Sequence, residues 1–134
     1  MAQTAAHEMF ARDKASQQLG MQLVSAGDGA AVVRMKVTES MVNGHGMTHG
    51  GFVFALADTA FACACNSHGP VTVAAGADVT FLRPTAAGDQ LEAHARERSI
   101  SGRSGIYDVT VTRAGDVVAE FRGRSRMISP GRPA

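Results

Sequence analysis

The chain has 134 residues, a net charge of +1, 45% apolar and 19% charged residues, 15 glycines and no tryptophan. That length suits one domain with a single core. The charge balance excludes the basic footprint of a nucleic-acid binder, and the apolar content excludes wholesale disorder. A small domain this rich in Ala, Val and Gly is expected to complete its core by oligomerising.

In chain order, Thr4 to Leu19 sets Ala5, Met9 and Ala15 among charged residues and glutamines. This predicts one short surface helix within 1–19, stopped by Gly20. The first ten residues lack the basic start and apolar run of a signal peptide. Strands are expected at Met21–Ala26 and Ala30–Val37, with Gly27-Asp28-Gly29 as a hairpin turn. Thr38 to Gly51 is irregular and carries four glycines and two histidines. From Phe52 to Cys65, twelve of fourteen residues are apolar and five are alanine, which favours helix over strand. The apolar residues sit all round this helix, so it is expected to be buried on all sides. It is shorter than the ~20 apolar residues a bilayer needs, so no membrane role is expected. Cys63 and Cys65 lie two apart, point to different sides, and suit a reducing cytoplasm as free buried thiols.

Everything after Pro70 reads as strand. Val71–Leu82 is long and β-rich, stopped by Arg83-Pro84. Leu91, Ala93 and Ala95, then Tyr107, Val109 and Val111, then Val117, Ala119 and Phe121 alternate with largely polar neighbours, Val118 among them. Strict period-two patterning means antiparallel strands with one buried face. Residues 129–134 read as a loose tail. One apolar helix amid strands needs a curved antiparallel sheet wrapped round it, an α+β hotdog-type fold in a single domain over 1–134.

Three features of the loop and helix point to chemistry. His49-Gly50-Gly51 opens the helix, where backbone N–H groups lack intrahelical partners and the dipole adds partial positive charge. Glycine lets a ligand approach that backbone, so the site can hold a developing oxyanion; two glycines also suit a plain tight turn. Asp58 is the one acidic or basic residue of the apolar helix. A buried carboxylate needs partners or a wet cavity, so Asp58 is either a general base or nucleophile, or a bridge to another element. Thr59 beside it is expected to bond its own helix backbone. Asn43, His45 and His49 share the Gly-rich loop. Gly44 and Gly46 argue against a helical His45/His49 metal pair, so no metal is expected.

Together, Asn43-Gly-His-Gly-Met-Thr-His49-Gly50-Gly51 and Asp58-Thr-Ala-Phe-Ala-Cys-Ala-Cys-Asn66 resemble hotdog-fold acyl-CoA thioesterases of the phenylacetate-degradation (PaaI-like) type. Phe81-Leu-Arg-Pro84, Gly105-Ile-Tyr-Asp108 and Phe121-Arg-Gly123 are similar to that family too. The resemblance implies hydrolysis of an acyl-CoA thioester, with aryl-acyl esters such as phenylacetyl-CoA or hydroxyphenylacetyl-CoA as substrates. It assigns the Gly50 N–H to the thioester carbonyl and Asp58 to the water, or to direct attack. Asn43 and His49 would position water and thioester. No cofactor is implied, since coenzyme A is part of the substrate. The alternatives are a hotdog acyl-CoA dehydratase or hydratase, which needs a base aimed beside the carbonyl, and a non-catalytic acyl-CoA-binding module.

Coenzyme A carries phosphates, so basic groups are expected at one rim. Arg122, Arg124 and Arg126 share one face of the last strand, and Arg83 and Arg103 lie in or beside loops. Gly51, Arg83, Arg103, Arg122 and Arg124 are the candidates for binding CoA; a solvated sheet face would carry the same arginines. Phe52, Phe54, Phe61, Met41 and Met47 would line an aryl pocket or simply fill the core. Asp58 lies eight residues beyond Gly50, about 12 Å along one helix. Reacting atoms must approach to roughly 3–3.5 Å. Two helices antiparallel across a two-fold axis would set each Asp58 opposite the other chain's Gly50, giving a homodimer with composite active sites. The resemblance implies the same arrangement, with joined sheets and a dimer of dimers.

Overall fold

The alanine-rich run and the alternating segments fold as their periods require. A computed structural model describes residues 4–128; the tail expected at 129–134 lies outside the described residues. The elements are α1 (Ala5–Ala11), α2 (Lys14–Gln18), β1 (Gln22–Gly27), β2 (Ala30–Lys36), a 3-10 turn (Glu39–Met41), α3 (Gly50–Asn66), β3 (Thr72–Phe81), β4 (Gln90–Ser101), β5 (Ser104–Arg113) and β6 (Asp116–Met127). The strands form one antiparallel sheet in the order β1-β2-β4-β5-β6-β3. α3 packs against every strand of it. This is the α+β hotdog fold. No helix among the described residues is long and apolar enough to cross a membrane.

Register turns the alternation into a core. Val33 pairs with Ala93, Ala93 with Val111, and Val111 with Ala119, all buried. Phe61 projects from α3 into this layer, its ring 5.6 Å from that of Tyr107 and 5.8 Å from that of Phe121. Gly123 lies beneath it, because a Cβ there would come within 2.7 Å of Phe61 Cζ. Each such large buried side chain contributes about 1.5–3 kcal/mol. Asn66 fastens the helix end to the sheet. Its Nδ2 donates to the Ala62 and Thr72 carbonyls, and its Oδ1 accepts from the Thr72 amide.

Three expectations need correction. The single helix over 1–19 is two helices, because Asp13 takes an extended backbone and caps α2 through the Ser16 amide. They are not a bare surface layer either: Ala6, Phe10 and Ser16 are buried. α3 is not buried on all sides within one chain, since the sheet covers one flank and leaves the stripe Gly51, Ala55, Asp58 and Ala62 partly open. Val118, expected on the wet face, is buried. The β5–β6 register slips there, pairing Val111 with Ala119 but Thr112 with Val117, so Val118 is the extra residue of a bulge.

The edge strand β3 differs from the others. Val73 and Phe81 on it, and Val71 and Leu82 beside it, are exposed large apolar residues. Its outer backbone edge pairs with no strand among the described residues.

Candidate active site

The loop before α3 is built by its own polar groups. Asn43 Oδ1 accepts from the His45 amide (2.8 Å) and the Met47 amide (3.1 Å), which folds residues 43–47 into a turn. The Thr48 amide donates to the Thr85 carbonyl and the His49 amide to the Met41 carbonyl. Buried Thr85 also donates its hydroxyl to Thr48 Oγ1 at 2.5 Å. These bonds deliver the chain to the helix start with His49 extended at the cap position, its side chain not capping the helix. The Gly50 and Gly51 amides therefore open α3 with the free N–H groups that the sequence suggests.

Gly50 borders a cleft of about 310 Å³ lined also by residues that include Asn43, Met47, Phe81 and Arg83. The Phe81 ring lies directly against Gly50: a Cβ at residue 50 would sit 2.9 Å from Phe81 Cζ. Only glycine leaves both the backbone approach and the ring in place. Asn43 has its carbonyl committed to the loop, while its Nδ2 has no partner among the described residues. His49 is exposed and stands edge-on to Phe52, with ring centroids 6.4 Å apart. It sits at the rim, beside Gly51, rather than in the cleft.

Asp58 lies one flank away, on the open stripe of α3. Its carboxylate accepts no hydrogen bond from the described residues, and no buried side-chain oxygen among them lacks a partner. Its oxygens are therefore open to solvent, and no bridge to another element uses them. Burial pushes its pKa above the ordinary aspartate value, and the charge of Asp13 pushes the same way. A carboxylate so placed is a stronger base than a free aspartate. Thr59 does not bond its own helix; its hydroxyl lies 3.0 Å from that of Ser16 on α2.

The chain thus brings Asn43, Gly50 and Arg83 together and leaves Asp58 apart. Arg83 lies beside the cleft with Nη1 on the Val117 carbonyl. Arg122 and Arg124 project from the sheet face opposite α3, paired with Asp108 (2.7 Å) and Asp78 (3.2 Å). Arg103 lines a separate cleft with Tyr107 and Glu97, near the other end of α3. Phe54 packs on Phe121 and Met41 is buried, so both are core; Met47 borders the cleft. Among the described residues no three His, Cys, Asp or Glu side chains gather into a metal site. The Phe81 ring over Gly50 and the Asp13–Ser16–Thr59 contact were not read from the sequence, because both join segments distant along the chain.

An apolar central helix whose N-terminus opens on a cleft, within a single wrapped sheet, is the architecture of the hotdog-fold proteins. The model of the Thioesterase superfamily matches residues 45–120. The acyl-coenzyme A thioesterase PaaI of Escherichia coli is 47% identical over 124 residues, covering 92% of this chain and 89% of that one. The solved E. coli PaaI structure superposes with a TM-score of 0.91 at 45% identity, covering 93% and 91% of the two chains. A Streptococcus mutans protein solved with acetyl CoA bound superposes with a TM-score of 0.78 at 25% identity, covering 81% and 89%. The chain belongs to the Thioesterase superfamily. Within it, this is a PaaI-like enzyme.

Proposed function

We propose that this enzyme hydrolyses acyl-CoA thioesters, aryl-acyl esters such as phenylacetyl-CoA and hydroxyphenylacetyl-CoA among them, in a homodimer with composite sites. The observation that carries this is the unpaired, half-buried Asp58 on the open stripe of the same helix whose N-terminus opens the Gly50 cleft. The Gly50 N–H receives the thioester oxygen, where charge develops as the carbonyl is attacked. Asp58 of a second copy takes a proton from water as the water oxygen bonds the carbonyl carbon; direct attack by its carboxylate is the other route. The C–S bond then breaks and the thiolate of CoA leaves. Asn43 Nδ2 and His49 stand at the mouth to orient thioester and water.

Several observations support two copies. α3 keeps an open stripe and β3 an exposed apolar edge, and pairing of two β3 strands would cover that edge. The name of the E. coli relative and the acetyl CoA bound to the Streptococcus mutans protein both support a CoA ester as the ligand. The aryl preference and the pairing of dimers into tetramers rest on the PaaI-like resemblance. Arg83 is the arginine best placed to meet a CoA phosphate. No metal or other cofactor enters this reading. The buried free thiols of Cys63 and Cys65 suit a reducing cytoplasm.

The test is thiol release from short-chain, long-chain and aryl-acyl CoA esters by the wild-type chain and by Asp58→Asn. Hydrolysis of aryl esters is expected, with kcat lowered at least about a hundredfold in the variant and KM changed far less. No hydrolysis of any ester would refute the activity; a near-normal kcat in Asp58→Asn would refute the role of Asp58.

A further inference from the structure

A buried strap ties α2 to the turn of α3 that carries Asp58. Asp13, the N-cap of α2, accepts from the Ser16 amide (3.0 Å) and from the Ser16 hydroxyl (2.6 Å). Ser16 Oγ lies 3.0 Å from Thr59 Oγ1. The single hydroxyl proton of Ser16 goes to Asp13, so Thr59 must donate to Ser16. Ser16 is 3% exposed. An acidic side chain is therefore held, through two part-buried hydrogen bonds, next to the residue that follows Asp58.

We infer that Asp13 is a positioning residue for hydrolysis: the Ser16–Thr59 strap fixes its negative charge beside the turn of α3 that carries Asp58. The inference rests on the role proposed above for Asp58. Two like charges near one another disfavour ionisation of the one that lacks compensating donors, and Asp58 is that one. Within one chain, the other groups around this turn supply no competing charge. Cys63 and Cys65 on α3 are thiols pushed up to about 12, chiefly by burial, and stay neutral. On α1, Glu8 and Arg12 are exposed and His7 turns back to Thr4; Lys14 of α2 is exposed. The buried rows of β2, β4, β5 and β6 are apolar apart from the Tyr107 and Ser125 hydroxyls, and Glu97 pairs with His68 near the far end of the helix. Among these groups, Asp13 is the charge that bears on Asp58, in the same direction as burial.

The experiment is the pH profile of kcat/KM for an acyl-CoA ester. It is read beside a ¹³C NMR titration of aspartate carboxyls in the full chain, with the Asp58 signal identified by its loss in Asp58→Asn. Asp13→Asn keeps the helix cap, since Asn caps as well as Asp, and removes the charge. Its acidic limb and its Asp58 midpoint are both expected to move to lower pH by about 0.3–1 unit. Asp13→Glu is expected to restore both. Ser16→Ala, which keeps the charge but removes the strap that fixes it, should move them in the same direction and by less. An Asp58 midpoint that stays at the wild-type value in Asp13→Asn, whatever happens to Tm, would overturn the inference; an unmoved midpoint in Ser16→Ala would overturn the part given to the strap. If Asp58→Asn kept full activity, the role of Asp58 would fail first. A dead Asp58→Asn with an unmoved midpoint in Asp13→Asn would overturn the role of Asp13 alone.

Discussion

Mixing two inactive variants tests whether the site spans two chains. Asp58→Asn removes the base. Gly50→Pro removes the N–H assigned to the thioester oxygen, and the structure shows why that variant should fold. Residue 50 is the first of α3, where proline is favoured, and His49 before it has φ −65° and ψ 130°, the extended conformation a following proline requires. The ring would meet Phe81, whose Cζ lies 2.9 Å from where a Cβ would stand. Phe81 is 51% exposed within one chain, and its ring is the group that must shift. With the two groups about 12 Å apart along one helix, neither variant holds a complete site. In a mixed dimer, one interface joins an intact Gly50 to an intact Asp58. Random exchange of equal amounts makes half the dimers mixed, each with one working site of two, so about a quarter of wild-type activity should return. The assay is thiol release after subunit exchange, with heterodimers verified by differently tagged chains. Verified heterodimers that stay dead, while wild-type/variant heterodimers keep activity, would refute the composite site.

The remaining predictions are smaller in scope. Asp58→Asn should raise stability at neutral pH, because a carboxylate with a raised folded pKa opposes folding wherever it is ionised. The gain should vanish as pH falls through that folded pKa toward the unfolded value of about 3.9, where both states are protonated; Tm measured against pH reads it, and a gain persisting in acid would contradict the linkage. Gly123→Ala should cost about 1–3 kcal/mol in urea unfolding, since its Cβ would strike the buried Phe61 ring at 2.7 Å; an unchanged midpoint would show that the ring can move. Arg83→Ala should raise KM for CoA esters with little change in kcat, and leave a pantetheine-truncated substrate unaffected. An equal loss on the truncated substrate would remove Arg83 from phosphate binding.

Much of the fold was legible because burial is written in period. The alternation of Leu91, Ala93 and Ala95 and of Tyr107, Val109 and Val111 placed strands and their inward faces, and the alanine-rich run placed α3. Gly50 and Asp58 also stood out locally, as glycines at a helix start and as a lone carboxylate in an apolar run. Breaks set by single side chains were harder to see. Asp13 divides the N-terminal segment only because its carboxylate captures the Ser16 amide, and the bulge at Val118 depends on the register of β5 against β6. What the amino-acid sequence determined by itself was which residues are apolar, at what period, and where an unusual polar group interrupts them, because these are properties of neighbours along the chain. Which distant side chains meet was decided by tertiary structure alone. Phe81 over Gly50, Ser16 against Thr59, and the flank of α3 left open all follow from how one sheet curves round one helix, and no local pattern encodes that curvature.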